Sequence, residues 1–236
     1  MIQRHSLILW ANPSNEDFHV SLAKANNLLL ALKEFGPEIA PNYITSKRKK
    51  DALNFDWNAN TLEELLKKGI NKEGNNQFLD LGYRMSFFSS LREDDSASIS
   101  LLVGASNSCT TNSLIVNLPL TLPVYESSDI NDKLISTFKE CVEIFDPFWA
   151  CIGNNVNVRR FDGYWRDDLP TAIHWVNYFG NGICKIFGDK KIESAPTSSI
   201  EKFHLGYIVK LKDSPLNDEI EDDIELQKKV NEYFQS

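Results

Sequence analysis

Leu79-Asp80-Leu81-Gly82-Tyr83-Arg84-Met85-Ser86-Phe87 is the stretch that decides the fold class. Apolar side chains at 79, 81, 83, 85 and 87 alternate with Asp80, Gly82, Arg84 and Ser86, the pattern of a strand with one buried face. Two further strands follow closely. Ile99, Leu101 and Val103 alternate with serines at first, and Leu114, Val116 and Leu118 form a third strand that Pro119 closes. The connections, 89–96 and 106–112, are short and polar, so the spacing predicts an antiparallel meander.

Helices flank this meander on both sides. Upstream, Ser6 to Trp10 reads as a strand that Asn12-Pro13-Ser14-Asn15 breaks. A helix is expected from about Asp17 to Phe35, because Phe18, Leu22, Ala25, Leu29 and Leu32 fall on one face, and Gly36-Pro37 stops it. The segment from Pro41 to Trp57 has no clear period and carries the basic run Lys47-Arg48-Lys49-Lys50. A short helix capped by Asn60 or Thr61, with Glu63 and Glu64 in its first turn, is expected to end at Gly69 and the polar stretch to Asn76. Downstream, Ser128 or Asp129 caps a second long helix with the stripe Ile130, Leu134, Phe138, Cys141 and Phe145. Asp146-Pro147 ends it, since the residue before proline is disfavoured in the helical region. The next strand, Phe148 to Ile152, opens on the aromatic joint Phe148-Trp149.

Beyond it the reading gives a polar loop from Asn154 to Asp168, a strand from Thr171 to Phe179 and a loop from Gly180 to Ser199. One last strand runs along Phe203, Leu205, Tyr207, Val209 and Leu211. A terminal helix starts near Asn217 with the core stripe Leu226, Val230, Tyr233 and Phe234. Strands and helices do not alternate regularly, which argues against a doubly wound parallel sheet. The expectation is one α+β domain over residues 1–236, a mainly antiparallel sheet covered by amphipathic helices, without repeat or linker.

A chain of 236 residues, 42% hydrophobic and 11% aromatic, can bury roughly 70% of its unfolded surface without a disulfide or metal staple. The formal charge of -8 repels phosphate backbones, so direct nucleic-acid binding is not expected. That charge serves solubility, or it steers a basic protein partner. Cys109, Cys141, Cys151 and Cys184 are spread with no C-x-x-C pair, which fits reduced cysteines rather than a metal or redox motif. No stretch approaches a membrane span, and Leu7 to Ala11 is too short for a signal core, so a cytoplasmic protein is the default.

No pattern of catalytic residues emerges. His5, His19, His174 and His204 form no H-x-x-x-H or H-E-x-x-H pair, and neither phosphate-loop glycines nor a G-x-S-x-G elbow occurs. Neither cofactor nor metal is expected. The alternative is a hydrolase pairing Cys151 or Cys184 with His174. Candidate contact residues are clearer. Glu93-Asp94-Asp95 is a carboxylate triplet on a connection; three neighbouring acids point in different directions, which suits a solvated loop as well as a contact. The acids between Asp213 and Glu225, Asp222 and Asp223 among them, suit either a well-capped helix start or an acidic patch. Trp165-Arg166-Asp167-Asp168 places a Trp among charges in a loop, the composition of a contact anchor.

Several pieces, in order, resemble the immunity protein 52 family of bacterial polymorphic-toxin systems. They are Lys50-Asp51-Ala52-Leu53, Leu81 to Phe87, Ile99 to Gly104, Asn112 to Pro119, Phe145-Asp146-Pro147-Phe148-Trp149-Ala150 and Ile173-His174-Trp175-Val176-Asn177-Tyr178. The chain departs at His174, where members commonly carry Gly before the second Trp, and along Asn154 to Asp168. The resemblance implies a non-enzymatic inhibitor that binds a cognate toxin, with restriction-endonuclease-like nucleases among the targets and an association with type VI secretion. A nuclease offers a basic cleft, which the acidic residues at 93–95, 165–168 and 222–223 would meet.

Overall fold

The computed structural model describes residues 3–155, 165–166 and 169–236; at Ala59, Trp165 and Arg166 the description is of the backbone. The chain is α+β, with antiparallel strands covered by helices, and every pairing whose register is described is antiparallel. Its contacts resolve into two compact units, Leu9–Leu122 and Met1–Ile8 with Pro123–Ser236. The first strand, β1 (His5–Ala11), gives its first four residues to the second unit and its last three to the first.

In the Leu9–Leu122 unit, the meander is β5 (Asn76–Phe88), β6 (Ser98–Ala105) and β7 (Asn112–Asn117). Register sets Met85 opposite Leu101 and Leu101 opposite Leu114, so Met85, Phe87, Ile99, Leu101, Val103, Leu114 and Val116 are all buried. The edge carries β2 (Tyr43–Ile44) on β5 and β3 (Leu53–Asn54) on β2. Helix α1 (Phe18–Phe35) packs on β6, and α2 (Ala59–Lys68) packs on β5 and on α1. Asp17 caps α1 by accepting from the Val20 N–H at 2.9 Å. Its buried face is Ser21, Ala25, Leu28, Leu29, Leu32 and Phe35, rotated from the expected stripe so that Phe18 and Leu22 are only half-buried.

Two expectations here need correcting. The cap of α2 is Asn58, whose side-chain oxygen accepts from Thr61 N at 2.8 Å; three cap-forming residues in four positions left the choice open in sequence. The polar stretch after Gly69 is a strand. β4 (Ile70–Glu73) folds back through Gly74 onto the start of β5, pairing Glu73 with Asn76. Residues 72–80 are exposed, so no alternating burial marks them.

In the second unit the strand order is β12 (Ser199–Phe203), β13 (Gly206–Lys210), β11 (Val176–Phe179), β8 (Trp149–Asn154) and β1. Ser127, one residue before the expected cap, accepts from Ile130 N at 3.3 Å and opens α3 (Ser128–Phe145). This helix buries Leu134, Phe138, Cys141, Val142 and Phe145. Asp146 ends it in the left-handed region, φ 50°, and β8 (Trp149–Asn154) follows with Trp149 fully buried. A two-stranded ribbon, β9 (Trp165–Arg166) and β10 (Leu169–Pro170), precedes β11 (Val176–Phe179). Strand β11 lies between β8 and β13 (Gly206–Lys210), with Tyr178 opposite both Ala150 and Ile208. The remaining elements are α4 (Asn181–Phe187), α5 (Asp189–Glu193), β12 (Ser199–Phe203) and the terminal α6 (Glu221–Gln235).

The expected strand from Thr171 therefore shortens to Val176–Phe179. Side chains replace the ladder before it. Asn231 accepts from Ile173 N at 2.6 Å, Gln227 donates to Ile173 O at 2.9 Å, and Asn177 accepts from His174 N and donates back to His174 O. The expected loop at 180–199 holds two helices too short to show a period, joined at Gly188. The expected single strand along 203–211 is a hairpin. It turns at His204, φ 49°, and Leu205, and the alternation runs through the turn because Leu205 continues it while pointing to solvent. Helix α6 starts at Glu221 rather than near Asn217, and buries Asp223, Gln227, Val230, Asn231 and Phe234. Polar residues hold three of those five positions, which a search for apolar periodicity passes over.

Candidate partner-binding surface

The acidic C-terminal segment folds onto an exposed aromatic. Tyr125, in the turn before α3, is 39% exposed, and its hydroxyl donates to Gln3 Oε1 at 2.7 Å and lies 3.1 Å from the Leu216 carbonyl. Gln3 donates to Asn217 Oδ1 at 2.8 Å and accepts from Asn154 Nδ2 at 2.7 Å. Asn217 N donates to Asp223 Oδ2 at 2.8 Å, and Lys212 reaches the other Asp223 oxygen at 2.6 Å. The first residues of the unit, the end of β8, the turn before α3, the 211–220 loop and α6 are thereby tied into one polar network. Asp223 is only 5% exposed and fully committed inside it, while Asp222 and Glu219 point to solvent.

Electrostatics follow the same division. Burial, and then the carboxylates of Asp218, Asp223 and Glu219, push the Tyr125 hydroxyl up to about 12, so it stays a neutral donor. His5 packs edge-on against the Tyr125 ring at 5.3 Å, and burial draws its imidazole down to about 4. The result is a held aromatic with carboxylates beside it. Trp and Tyr dominate binding hot spots because a rigid ring contributes large area at small entropic cost. Sequence reasoning passed over Tyr125; its only signal is an aromatic standing among Pro123, Glu126 and Ser127 just before a helix cap.

The other candidate contacts lie elsewhere. Glu93 and Asp94 are exposed in the Leu9–Leu122 unit, and the loop is pinned through its backbone, with Leu120 N donating to Asp94 O at 2.8 Å. Asp95, with its side chain 42% exposed, accepts from the Thr121 hydroxyl at 3.0 Å with Arg92 at 3.7 Å. The triplet thus presents two carboxylates and spends the third on its own loop. The backbone of Trp165 and Arg166 forms β9, paired with Pro170 and Leu169; Asp167 and Asp168 lie outside the described residues.

The groups of the hydrolase alternative sit deep in the second unit. His174 is fully buried, stacks on Trp149 at 6.0 Å and fills the space above Gly153, where a Cβ would fall 2.7 Å from Nδ1. Neither ring nitrogen has a hydrogen bond among the described residues, and burial holds the imidazole at about 4. Burial pushes the Cys151 thiol up. Cys184, raised to about 11, donates to the Phe179 carbonyl at 3.1 Å. Both thiols are protonated at neutral pH, the wrong state for a nucleophile. Among the described residues no three His, Cys, Asp or Glu side chains gather as a metal site, and no helix is long and apolar enough to cross a membrane.

No family model matches the chain, and no curated protein sequence matches it. Among solved structures, the chain is similar to the Pseudomonas aeruginosa T6SS protein PA0821, with a TM-score of 0.65 and 11% identity over 99% of this chain and 72% of that one. At that identity the likeness is one of fold.

Proposed function

We propose that the chain is a non-enzymatic immunity protein that binds a cognate toxin in the cytoplasm and neutralises it by occlusion. The carrying observation is Tyr125, exposed and fixed by the Gln3–Asn217–Asp223 network beside the acids of the 218–225 segment. The fold shared with a T6SS protein and the ordered pieces similar to the immunity protein 52 family support a role in toxin delivery systems. A nuclease toxin suits the reading, because a cleft built to hold phosphates is basic and would meet carboxylates. An interface on the order of 1,200–2,000 Å² is expected, with Tyr125 near its centre and Asp222 and Glu219 on its rim.

The test is association kinetics against the purified toxin encoded beside this chain. Tyr125→Ala should speed dissociation by at least tenfold, the loss of about 1.4 kcal/mol. Glu219→Lys with Asp222→Lys should slow association several-fold at low salt, with the difference fading near 0.5 M as screening sets in. Wild-type rates in both variants would remove this face from the interface.

A further inference from the structure

The Leu9–Leu122 unit holds a second surface with the opposite charge. Where α2 hands over to β4, a groove of about 410 Å³ opens beside β5, within the size range of recognition pockets. Ile44, Leu65, Met85 and Phe87 supply its apolar lining, and Lys68 and Arg84 its charge; no carboxylate lines it. Its shape depends on a glycine. Gly69 crosses so close to β5 that a Cβ there would lie 2.2 Å from the Arg84 carbonyl, and Arg84 N donates to Gly69 O at 3.0 Å. That approach holds the end of α2, and with it Lys68, beside the exposed Arg84.

The cations are available. Arg84 makes no ion pair among the described residues, and Lys68 has only a solvent-exposed partner, Glu64, at 3.6 Å. Such an exposed pair contributes well under about 1 kcal/mol and yields readily to a better-placed carboxylate. Just past Thr45, another lining residue, comes the run Lys47-Arg48-Lys49-Lys50. Arg48 is satisfied by Asp51 at 2.5 Å, and Lys49 by the Phe88 ring and the Arg92 carbonyl, while Lys47 and Lys50 are exposed. A locally cationic, apolar-floored groove in a chain of net charge -8 is a charge inversion with a stated complement.

We infer that this groove docks an acidic segment of a partner protein, a carboxylate side chain engaging Arg84 and Lys68 while a neighbouring apolar side chain rests on the half-buried Ile44 and Leu65 above Met85. Protein rather than nucleic acid fits the lining. Single-stranded nucleic acids need exposed aromatic platforms along a continuous basic track, whereas Phe87 is 1% exposed and the cations here are confined to one groove. The inference stands on the groove's own lining and is independent of the acidic face at Tyr125.

Met85 makes it testable, because the only other methionine is Met1. The full chain is labelled at its methionine methyls, and the Met85 resonance is followed by NMR. The probe is the peptide acetyl-Asp-Leu-Glu-Phe-Asp-amide, with its Asn/Gln counterpart as control. The acidic peptide should shift Met85 saturably, and the neutral one should not. Arg84→Gln with Lys68→Gln, both surface changes that leave the core intact, should weaken the acidic peptide about tenfold while the rest of the methyl spectrum is unchanged. No saturable shift at millimolar peptide, or an equal shift in the double variant, would overturn the inference. So would an equal or larger response to a short oligonucleotide or to inorganic phosphate.

Discussion

Two buried polar regions of the same unit are built in opposite ways. Around α6, Asp223, Gln227 and Asn231 are buried and each makes hydrogen bonds: Asp223 holds Lys212 and the Asn217 amide, Gln227 holds the Ile173 carbonyl, and Asn231 holds the Ile173 amide through Oδ1 while its Nδ2 has no hydrogen bond among the described residues. Around Trp149, His174 is buried with both ring nitrogens lacking hydrogen bonds among the described residues. The first arrangement uses polarity to fix backbone that has no ladder, and its outer end positions Tyr125 and the acids. The second spends polarity without return, since an unpaired buried polar group costs about 1–3 kcal/mol. Buried polarity in this chain is informative where it is connected, and the connected region leads to the candidate interface.

The largest expected effect is Trp149→Ala, which empties the fully buried site on which His174 stacks and should cost about 3–5 kcal/mol in chemical denaturation. A loss below about 1 kcal/mol would mean the ring is not the anchor of the α3–β8 joint. Next is Asp223→Ala, which leaves Lys212 and the Asn217 amide without their carboxylate. It should cost about 2–4 kcal/mol and loosen Tyr125, so toxin dissociation should quicken even though Asp223 touches no partner. Unchanged dissociation would detach the network from the interface.

His174 gives a pH signature of comparable or smaller size. Its folded value of about 4 lies below its unfolded value near 6.5, so between those limits the unfolded chain binds more protons. Stability is therefore full above about pH 6.5 and declines as the pH falls towards 4, by up to about 3 kcal/mol from this group. His5 acts in the same direction. His174→Phe should make the urea midpoint fall less steeply between pH 6.5 and 4, leaving the share that His5 contributes, and keep the chain as stable as wild type, or more so, at pH 7. An unchanged slope would show that the imidazole has a proton acceptor in the folded state.

The same contrast explains what could be read in advance. The strands from 81 to 118 and both long helices were legible because apolar side chains recur along each at a fixed period, and the helix stop because Asp146-Pro147 marks it; Leu79, which the same alternation includes, is 54% exposed. Elements held by polar groups were not. The shortened β11 depends on Asn231, Gln227 and Asn177; β4 has no buried residue; the β12–β13 turn uses His204 and Leu205, neither a common turn residue. The candidate surface divided in the same way. The acidity of 218–225 was visible in the chain. That Asp223 turns inward while Asp222 stays out, and that Tyr125 joins them from a distant part of the chain, depends on Gln3, Asn154 and Asn217 meeting across the fold.

The most direct test of the proposed binding, non-catalytic role is survival of cells expressing the neighbouring gene's product, the proposed toxin, together with each of two variants whose folding is verified by circular dichroism. One carries Cys151→Ala, Cys184→Ala and His174→Phe, removing the Cys and His groups of the hydrolase alternative. The other carries Tyr125→Ala, Glu219→Lys and Asp222→Lys. Full protection by the first and loss of protection by the second is the expected result. Protection lost in the first and kept in the second would contradict the account.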